Sequence, residues 1–262
     1  MIKRPIINKL LSGFVILYIT AMSLCAVLFV LRVLIVERFN IPSESMTPTL
    51  VPGDHVWVNK ILFGGRISRL SFAGGMPDLK CMRMPGFRKI NPGDVICFNK
   101  PYGCGNTDAI RFNPDQVFCK RVLGTPGDRI GAVDGHCWND RKLKPIGVVE
   151  EQEKLRWMFD SIFIWQNCYD VIPLSKPKWN IKNWGPLIVP SKGLTMMLDD
   201  FKRELYRQVV EYETGKTPDG SVTEYTFQED YYFAVGDNAM DSYDSRYWGF
   251  IPEKFIIGIV AQ

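Results

Sequence analysis

The 262-residue sequence has few metal-binding side chains and little net charge. Its only histidines are His55 and His136, and it contains neither an HExxH motif nor paired CxxC motifs, which argues against a zinc site. The net charge of +4, from 32 basic and 28 acidic residues, is too small to indicate binding to nucleic acid. We therefore expect no metal, no other cofactor and no nucleic-acid partner.

The seven cysteines are odd in number and scattered along the chain, so they do not form a disulfide framework. Cys97 and Cys104 could close one small loop, but their spacing favours free buried thiols. The hydrophobic content of 46% and the charged content of 23% are those of globular proteins. They exclude a wholly disordered, collagen-like or coiled-coil chain.

One long apolar run lies near the start of the chain, at residues 10–31, and contains no charged residue. As a helix, these 22 residues would span about 33 Å, slightly more than the hydrocarbon core of a bilayer. A cleaved signal peptide is the alternative, but its apolar region is normally about 7–15 residues long. Three basic residues precede the run and two follow it, which favours a cytoplasmic N-terminus. We predict a cytoplasmic segment at 1–9 and an uncleaved transmembrane anchor at 10–36.

Turn motifs recur after the anchor. Pro-Gly-Asp sequences begin at Pro52, Pro92 and Pro126, and each leads into β-branched or aromatic residues. Short apolar strands separated by such turns predict a mostly β fold with an antiparallel β-sheet core. One helix is predicted at 199–215, where two aspartates favour the first turn, apolar residues recur on one face and Gly215 can end it.

Two segments differ in composition from this pattern. Residues 62–93 are rich in glycine, proline and basic side chains, and we expect a long surface loop there, either solvated or in contact with anionic lipid. Residues 131–225 hold five of the seven tryptophans, and we interpret them as an inserted α+β cap subdomain. The β core would then comprise residues 37–130 and 226–262.

Two polar clusters carry groups that could perform chemistry. Residues 41–50 (IPSESMTPTL) place Ser43 and Ser45 between two prolines, which hold the backbone in a non-helical conformation. Residues 117–128 (VFCKRVLGTPGD) predict a strand that sets Lys120 between apolar neighbours on one face. Taken singly, the first cluster is also typical of a serine-rich turn, and a lysine in a strand usually faces solvent.

A third polar cluster, at 235–250, lies between two apolar strands, where capping and ion pairing would explain part of its composition. Together the clusters closely resemble the sequence boxes of type I signal peptidases, the membrane-anchored serine proteases that remove signal peptides. The matching motifs are P-S-x-S-M-x-P-T-L at 42–50, G-D-x-x-x-V-N-K at 53–60, K-R-V-x-G-x-P-G-D at 120–128 and G-D-N-x-x-x-S-x-D-S-R-Y-W-G-F at 236–250. Ala239, Met240 and Asp241 depart from the residues common in bacterial members.

The resemblance implies a serine endopeptidase in which Ser45 is the nucleophile and Lys120 is the general base. An ordinary lysine, with a pKa of about 10.4, would cost about 4.6 kcal/mol to deprotonate at pH 7. Lys120 should therefore be buried among apolar side chains, which penalise its charged form. The Ser45 backbone N–H and the Ser43 hydroxyl would form the oxyanion hole.

The resemblance also implies supporting residues and a substrate site. The supporting residues are expected to be Ser242, Asp237, Asp244, Arg246 and Arg121. Among these, Ser242 would orient the lysine amine, and Asp244 and Arg246 would form an ion pair. The residues expected to bind substrate are Ile41, Met46 and Phe118.

The implied partners are the lipid bilayer and preproteins that carry a signal peptide. The preprotein would bind as an added strand, with two apolar pockets that select small residues one and three positions before the cut, the A-x-A pattern. The protein would lie in the plasma (inner) membrane as a single-pass protein with an extracytoplasmic catalytic domain. Five apolar residues could touch lipid or lie in the core: Phe39, Ile41, Trp57, Leu62 and Phe63.

Other interpretations are weaker. His55 lies near Ser45 in sequence, but a Ser–His protease also needs a partner carboxylate, and the resemblance gives His55 no role. Residues 175–178 fit an S-x-x-K motif, but Pro177 disfavours the helix that this motif requires. A tethered binding protein without turnover is disfavoured by the intact Ser45 and Lys120. A processing peptidase specialised for one secretion or conjugation system stays open, although the full motif at 236–250 suits the general housekeeping type.

Overall fold

The computed structural model describes residues 4–71, 78–101, 109–158 and 179–261. The helices are α1 (Arg4–Val30), α2 (Val149–Trp157), α3 (Asp200–Leu205), α4 (Arg207–Thr214) and α5 (Ser245–Trp248). The strands are β1 (Val36–Asn40), β2 (His55–Asn59), β3 (Arg66–Ser71), β4 (Asp78–Arg83), β5 (Val95–Asn99), β6 (Val117–Gly124), β7 (Arg129–Val133), β8 (His136–Asn139), β9 (Trp184–Ile188), β10 (Thr195–Met197), β11 (Glu224–Thr226), β12 (Tyr231–Val235), β13 (Ile251–Pro252) and β14 (Ile256–Val260). The prediction of a mostly β fold is confirmed.

The N-terminal helix α1 contains a stretch, Leu11–Val30, that is long and apolar enough to cross a membrane. None of this stretch is buried inside the protein, which is compatible with a lipid-facing helix. A short π-helical turn, Leu31–Ile35, joins α1 to β1. The anchor predicted to end at residue 36 therefore gives way to a strand at Val36.

The main sheet has seven strands in the order β1-β2-β14-β5-β6-β12-β13, and its pairs are antiparallel. Helix α1 leads through the π-helical turn into the edge strand β1. Strands β5, β12 and β14 are buried along their whole length, because apolar clusters cover both faces of the sheet. A smaller sheet, β8-β7-β9, lies within residues 129–188. The division into a core and an inserted subdomain stays a prediction.

The three predicted Pro-Gly-Asp turns all form. Their glycines take the positive φ that the turn requires, at 94° for Gly53, 100° for Gly93 and 82° for Gly127. In each turn the aspartate carboxylate accepts the backbone N–H of the residue three positions earlier, at 2.8 or 2.9 Å. The aspartates therefore close the turns, as their default structural interpretation predicts.

The helix predicted at 199–215 is split into α3 and α4 at Tyr206. Its ends are as predicted: the Asp199 side chain accepts the Lys202 N–H at 2.8 Å, and Gly215 ends it with a φ of 72°. Tyr206 is buried and its hydroxyl donates to the Ile188 carbonyl at 2.8 Å. The break follows from this tertiary contact and could not be seen in the local sequence.

The loop predicted at 62–93 is partly a hairpin, because β3 and β4 pair along their whole length. Two partly buried arginines fix its base to the segment 253–256. Arg66 donates to the carbonyls of Lys254 and Phe255, and Arg83 donates to those of Glu253 and Ile256. These two basic side chains thus bind backbone carbonyls. Composition alone cannot tell such a bound arginine from one that is solvated.

The expectation of free thiols is wrong for Cys97, which forms a disulfide with Cys119. The two residues are directly opposite each other on β5 and β6, with Cα atoms 4.4 Å apart. Cys104, the partner considered from the sequence, lies outside the described residues. Cys25, Cys81 and Cys137 are free.

Candidate active site

Ser45 and Lys120 meet beside strand β6 of the main sheet. Ser45 lies in a single 3₁₀ turn, Glu44–Met46, that follows β1, and Lys120 lies in β6. The Lys120 amine is hydrogen-bonded to the Ser45 hydroxyl, although the two residues are 75 positions apart in sequence. An amine in this contact can take the hydroxyl proton whenever it is itself neutral.

Lys120 is buried, with only 4% of its surface exposed. Burial lowers the pKa of Lys120 from 10.5 to about 8, although the charge of Asp244 acts in the opposite direction. The ring of Phe118 lies on the same face of β6, 5.9 Å from the amine. The apolar surroundings predicted for this lysine are therefore present, and they favour the neutral amine.

The Ser43 side chain lies beside this pair, with its Oγ 3.2 Å from Ser45 Oγ. Ser43 is exposed, so its hydroxyl faces the approach to Ser45. The Ser45 backbone N–H belongs to the first turn of the 3₁₀ helix, where N–H groups have no partner within the helix. The two donors expected for an oxyanion hole thus lie next to the Ser45 hydroxyl.

The chain at 236–238 packs directly against the turn of Ser45. A Cβ at Gly236 would lie 2.0 Å from Ser242 Oγ and 2.4 Å from the Ser45 carbonyl oxygen, so only glycine fits there. The Asn238 backbone N–H donates to the Ser45 carbonyl at 3.2 Å, and its amide donates to the Glu44 carbonyl at 3.3 Å. Gly236 and Asn238 were missed as site residues, although both stand in the G-D-N motif.

Ser242 does not make the hydrogen bond to Lys120 that was predicted. Its side chain is buried and packs against Gly236, and its hydroxyl has no hydrogen-bond partner among the described residues. The Ser242 side chain is held against Gly236, while the Lys120 amine lies at the Ser45 hydroxyl. Ser242 is therefore placed beside the site without contacting the lysine amine.

Asp244 and Arg246 form the buried ion pair that was expected, with two hydrogen bonds of 2.9 and 2.8 Å. Burial alone would raise the pKa of Asp244, but the charge and hydrogen bonds of Arg246 hold that pKa below its usual value. Asp244 also accepts the Gly236 N–H at 2.8 Å, and Arg246 donates to the Ala239 carbonyl at 3.1 Å. The pair thus fixes both ends of the loop that carries residues 236–239.

Arg121 and Asp237 form a second ion pair, with hydrogen bonds of 2.7 and 2.6 Å. Arg121 also donates to the Gly93 carbonyl at 2.8 Å and lies 3.3 Å from the Thr49 hydroxyl. Since Arg121 follows Lys120 in β6, this pair holds the strand of the lysine against the 236–238 segment.

A cavity of about 420 Å³ opens beside the Ser45 hydroxyl. The three residues predicted to bind substrate, Ile41, Met46 and Phe118, all line it. Val117, Cys119 and Tyr243 line it as well, although they were not predicted to bind substrate. In the described part of the chain, residues 117–120 pair only with β5, because β12 reaches no further along β6 than Arg121. The edge of β6 at the cavity is therefore open to an added strand.

The remaining candidates lie elsewhere. His55 is exposed and hydrogen-bonded to the Asn40 side chain, and it lines a separate cavity of about 520 Å³. Trp57 is 53% exposed, whereas Ile41 and Phe63 are buried and cannot form a lipid-facing surface. Residues 175–178 lie outside the described residues. In the described ranges no group of three His, Cys, Asp or Glu side chains could hold a metal ion.

Comparison with known proteins decides the family. The sequence model described as "Signal peptidase, peptidase S26" matches residues 14–262, nearly the whole chain. The chain belongs to this signal peptidase family. It is accordingly a serine endopeptidase of the S26 type.

Several curated relatives carry the name signal peptidase I. The protein of Buchnera aphidicola subsp. Baizongia pistaciae is 27% identical over 254 residues, which cover 90% of this chain and 71% of the relative. That of Aquifex aeolicus is 29% identical over 238 residues, which cover 89% of this chain and 77% of the relative. That of Pseudomonas aeruginosa is 26% identical over 242 residues, which cover 88% of this chain and 66% of the relative. The resemblance inferred from the sequence boxes is confirmed.

Proposed function

We propose that this S26 peptidase removes signal peptides from membrane-bound preproteins, with Ser45 as nucleophile and Lys120 as general base. The observation that carries the proposal is the hydrogen bond between the Lys120 amine and the Ser45 hydroxyl, made by a lysine with a pKa of about 8. At pH 7 about one amine in ten is then neutral, against fewer than about one in a thousand for an ordinary lysine.

In the proposed reaction, Ser45 Oγ attacks the scissile carbonyl carbon while Lys120 takes the hydroxyl proton. The carbonyl oxygen becomes an anion, stabilised by the Ser45 N–H and the Ser43 hydroxyl. Collapse of this intermediate breaks the peptide bond, and Lys120 gives its proton to the departing amine of the mature protein. Water then hydrolyses the acyl-enzyme with Lys120 again acting as base.

The substrate is proposed to bind as an extended strand along the open edge of β6. Backbone hydrogen bonds to residues 117–120 would give affinity without reading the sequence. Ile41, Met46 and Phe118 would line the pockets for the residues one and three positions before the cut. Their bulk and the apolar character of the cavity favour small side chains such as alanine.

The membrane arrangement is proposed to be a single-pass anchor with a cytoplasmic N-terminus. The apolar stretch Leu11–Val30 would span the bilayer, and only the short segment from Leu31 to Glu44 separates it from Ser45. The cleavage site would therefore lie just outside the membrane, where the anchored part of a preprotein emerges. The exposed Trp57 is suited to the interface.

The test is cleavage of a model preprotein by the purified full-length protein in detergent. Wild type should cut after the A-x-A site, while Ser45→Ala and Lys120→Ala should each lose about a thousand-fold or more in kcat/KM with unchanged circular dichroism. Thr195→Ala, on β10 and outside the residues that line the cavity, is the matched control and should cleave normally. Turnover close to wild type in either dyad variant would reject the proposal.

A further inference from the structure

The Cys97–Cys119 disulfide lies in the wall of the proposed substrate cleft. Cys119 directly precedes Lys120 in β6, and its side chain lines the cavity beside Ser45. It is partly exposed there, whereas Cys97 is completely buried on β5. A small thiol that enters the cleft can therefore reach the sulfur of Cys119 and not that of Cys97.

The packing behind the disulfide leaves no room for two separate thiols. Cys97 and Val58 are 0% exposed and Met46 is 1% exposed, and all three belong to one buried apolar cluster. Two unbonded sulfurs need more space than a bonded pair, because they cannot approach to a covalent distance. The filled cluster would resist this expansion, so the Cys119 thiol would move towards the open cavity.

On the basis of the function proposed above, we infer that the Cys97–Cys119 disulfide is a thiol-exchange site of the substrate cleft, at which a dithiol reductant weakens substrate binding. A thiol displaced from Cys119 occupies space that the small side chains of the substrate would fill. Ser45 and Lys120 keep their own contact, because Lys120 leaves β6 on the opposite side from Cys119. Reduction of the disulfide should therefore raise KM and leave kcat nearly unchanged.

The reductant in this exchange is a dithiol, which supplies both electrons needed to reduce the disulfide. Its first thiolate attacks Cys119 Sγ and forms a mixed disulfide, while the bond to Cys97 Sγ breaks and its electron pair goes to that sulfur, which takes a proton. The second thiol of the reductant then displaces Cys119 Sγ. The dithiol is oxidised to a disulfide, and Cys97 and Cys119 are reduced to two thiols.

The first experiment compares oxidised full-length protein with protein treated with dithiothreitol, using a peptide substrate with alanine at both selected positions. Mass spectrometry after alkylation should find Cys97 and Cys119 labelled only after treatment. Reduction should raise KM about five-fold or more with kcat within about two-fold, and reoxidation should reverse it. The double variant Cys97→Ala/Cys119→Val should not respond to the reductant, whereas Cys81→Ser, which keeps the disulfide, should respond like wild type.

The second experiment does not depend on turnover. In Ser45→Ala, which should bind the peptide without cutting it, saturating peptide should slow the reaction of dithiothreitol at Cys119 about ten-fold or more. Labelling of Cys97 and Cys119 without reductant, an unchanged KM after verified reduction, or no protection by the peptide would overturn the inference. Cleavage by Ser45→Ala would instead reject the proposed nucleophile, whatever the cysteines do.

Discussion

The Lys120 amine and the Ser45 hydroxyl are hydrogen-bonded to each other, although 75 positions separate them in sequence. The contact depends on two supports. The Arg121–Asp237 pair holds the strand of the lysine, and the Asn238 backbone N–H holds the Ser45 carbonyl. Both supports belong to one segment, 236–238, which therefore sets the distance between the two reacting groups.

Gly236→Ala tests this segment directly. The added methyl group would overlap the Ser242 hydroxyl and the Ser45 carbonyl, so the turn of Ser45 must shift. This displacement of the Ser45 turn should lower kcat/KM by about a hundred-fold. Gly220→Ala is the matched control, since a Cβ there meets nothing within 4 Å. Equal activity of the two variants in a peptide cleavage assay would contradict the role of the segment.

Ser242→Ala should separate an effect on catalysis from an effect on stability. Its buried hydroxyl has no hydrogen-bond partner in the described part of the chain, so its removal should leave the melting temperature unchanged or slightly higher. Because that hydroxyl makes no hydrogen bond to the Lys120 amine, kcat and KM should each stay within about three-fold of wild type. Loss as complete as in Ser45→Ala would require a direct chemical role for Ser242.

Lys120→Met should stabilise the fold in a pH-dependent way. The pKa of Lys120 is about 8 in the folded protein and about 10.4 when unfolded. Below pH 8 the amine is charged in both states and the folded state bears the full cost of burying it. Between these pKa values the unfolded state binds more protons, so wild-type stability rises with pH.

The melting temperature of Lys120→Met should therefore exceed that of wild type at pH 7, and the difference should shrink as the pH approaches 10. Lys60→Met is the matched control, because Lys60 is also buried but lies 2.8 Å from Glu37. That variant should lose stability, since it leaves the partly buried Glu37 carboxylate with only the exposed and more distant Arg32, at 3.6 Å, as an ion-pair partner. A less stable Lys120→Met at pH 7 would contradict the burial of an uncompensated amine.

Local signals in the sequence predicted the local structure. The Pro-Gly-Asp turns, the Asp199 cap and the Gly215 end each depend on residues within a few positions. The family motifs supplied Ser45 and Lys120, whose contact no local signal implies. Whether the fold divides at residues 131–225 stays a prediction.

The features that the sequence did not predict depend on strand register and tertiary packing. Cys97 faces Cys119 only because β5 and β6 pair in one particular register, which the sequence of neither strand fixes. The break at Tyr206 follows from its hydrogen bond to Ile188, and the base of the β3–β4 hairpin is held by arginines that bind distant carbonyls. The position of the Ser242 hydroxyl, packed against Gly236 and not bonded to Lys120, could be seen only in three dimensions.

The pH dependence of kcat/KM tests the central claim most directly, because only the neutral Lys120 amine can accept the Ser45 proton. With the oxidised protein and a peptide that has no titrating group, kcat/KM should rise about ten-fold per pH unit below pH 8 and level off above it. The midpoint should follow the lysine pKa of about 8. A profile that is flat from about pH 6 to 10, or that falls as the pH rises, would contradict a lysine base.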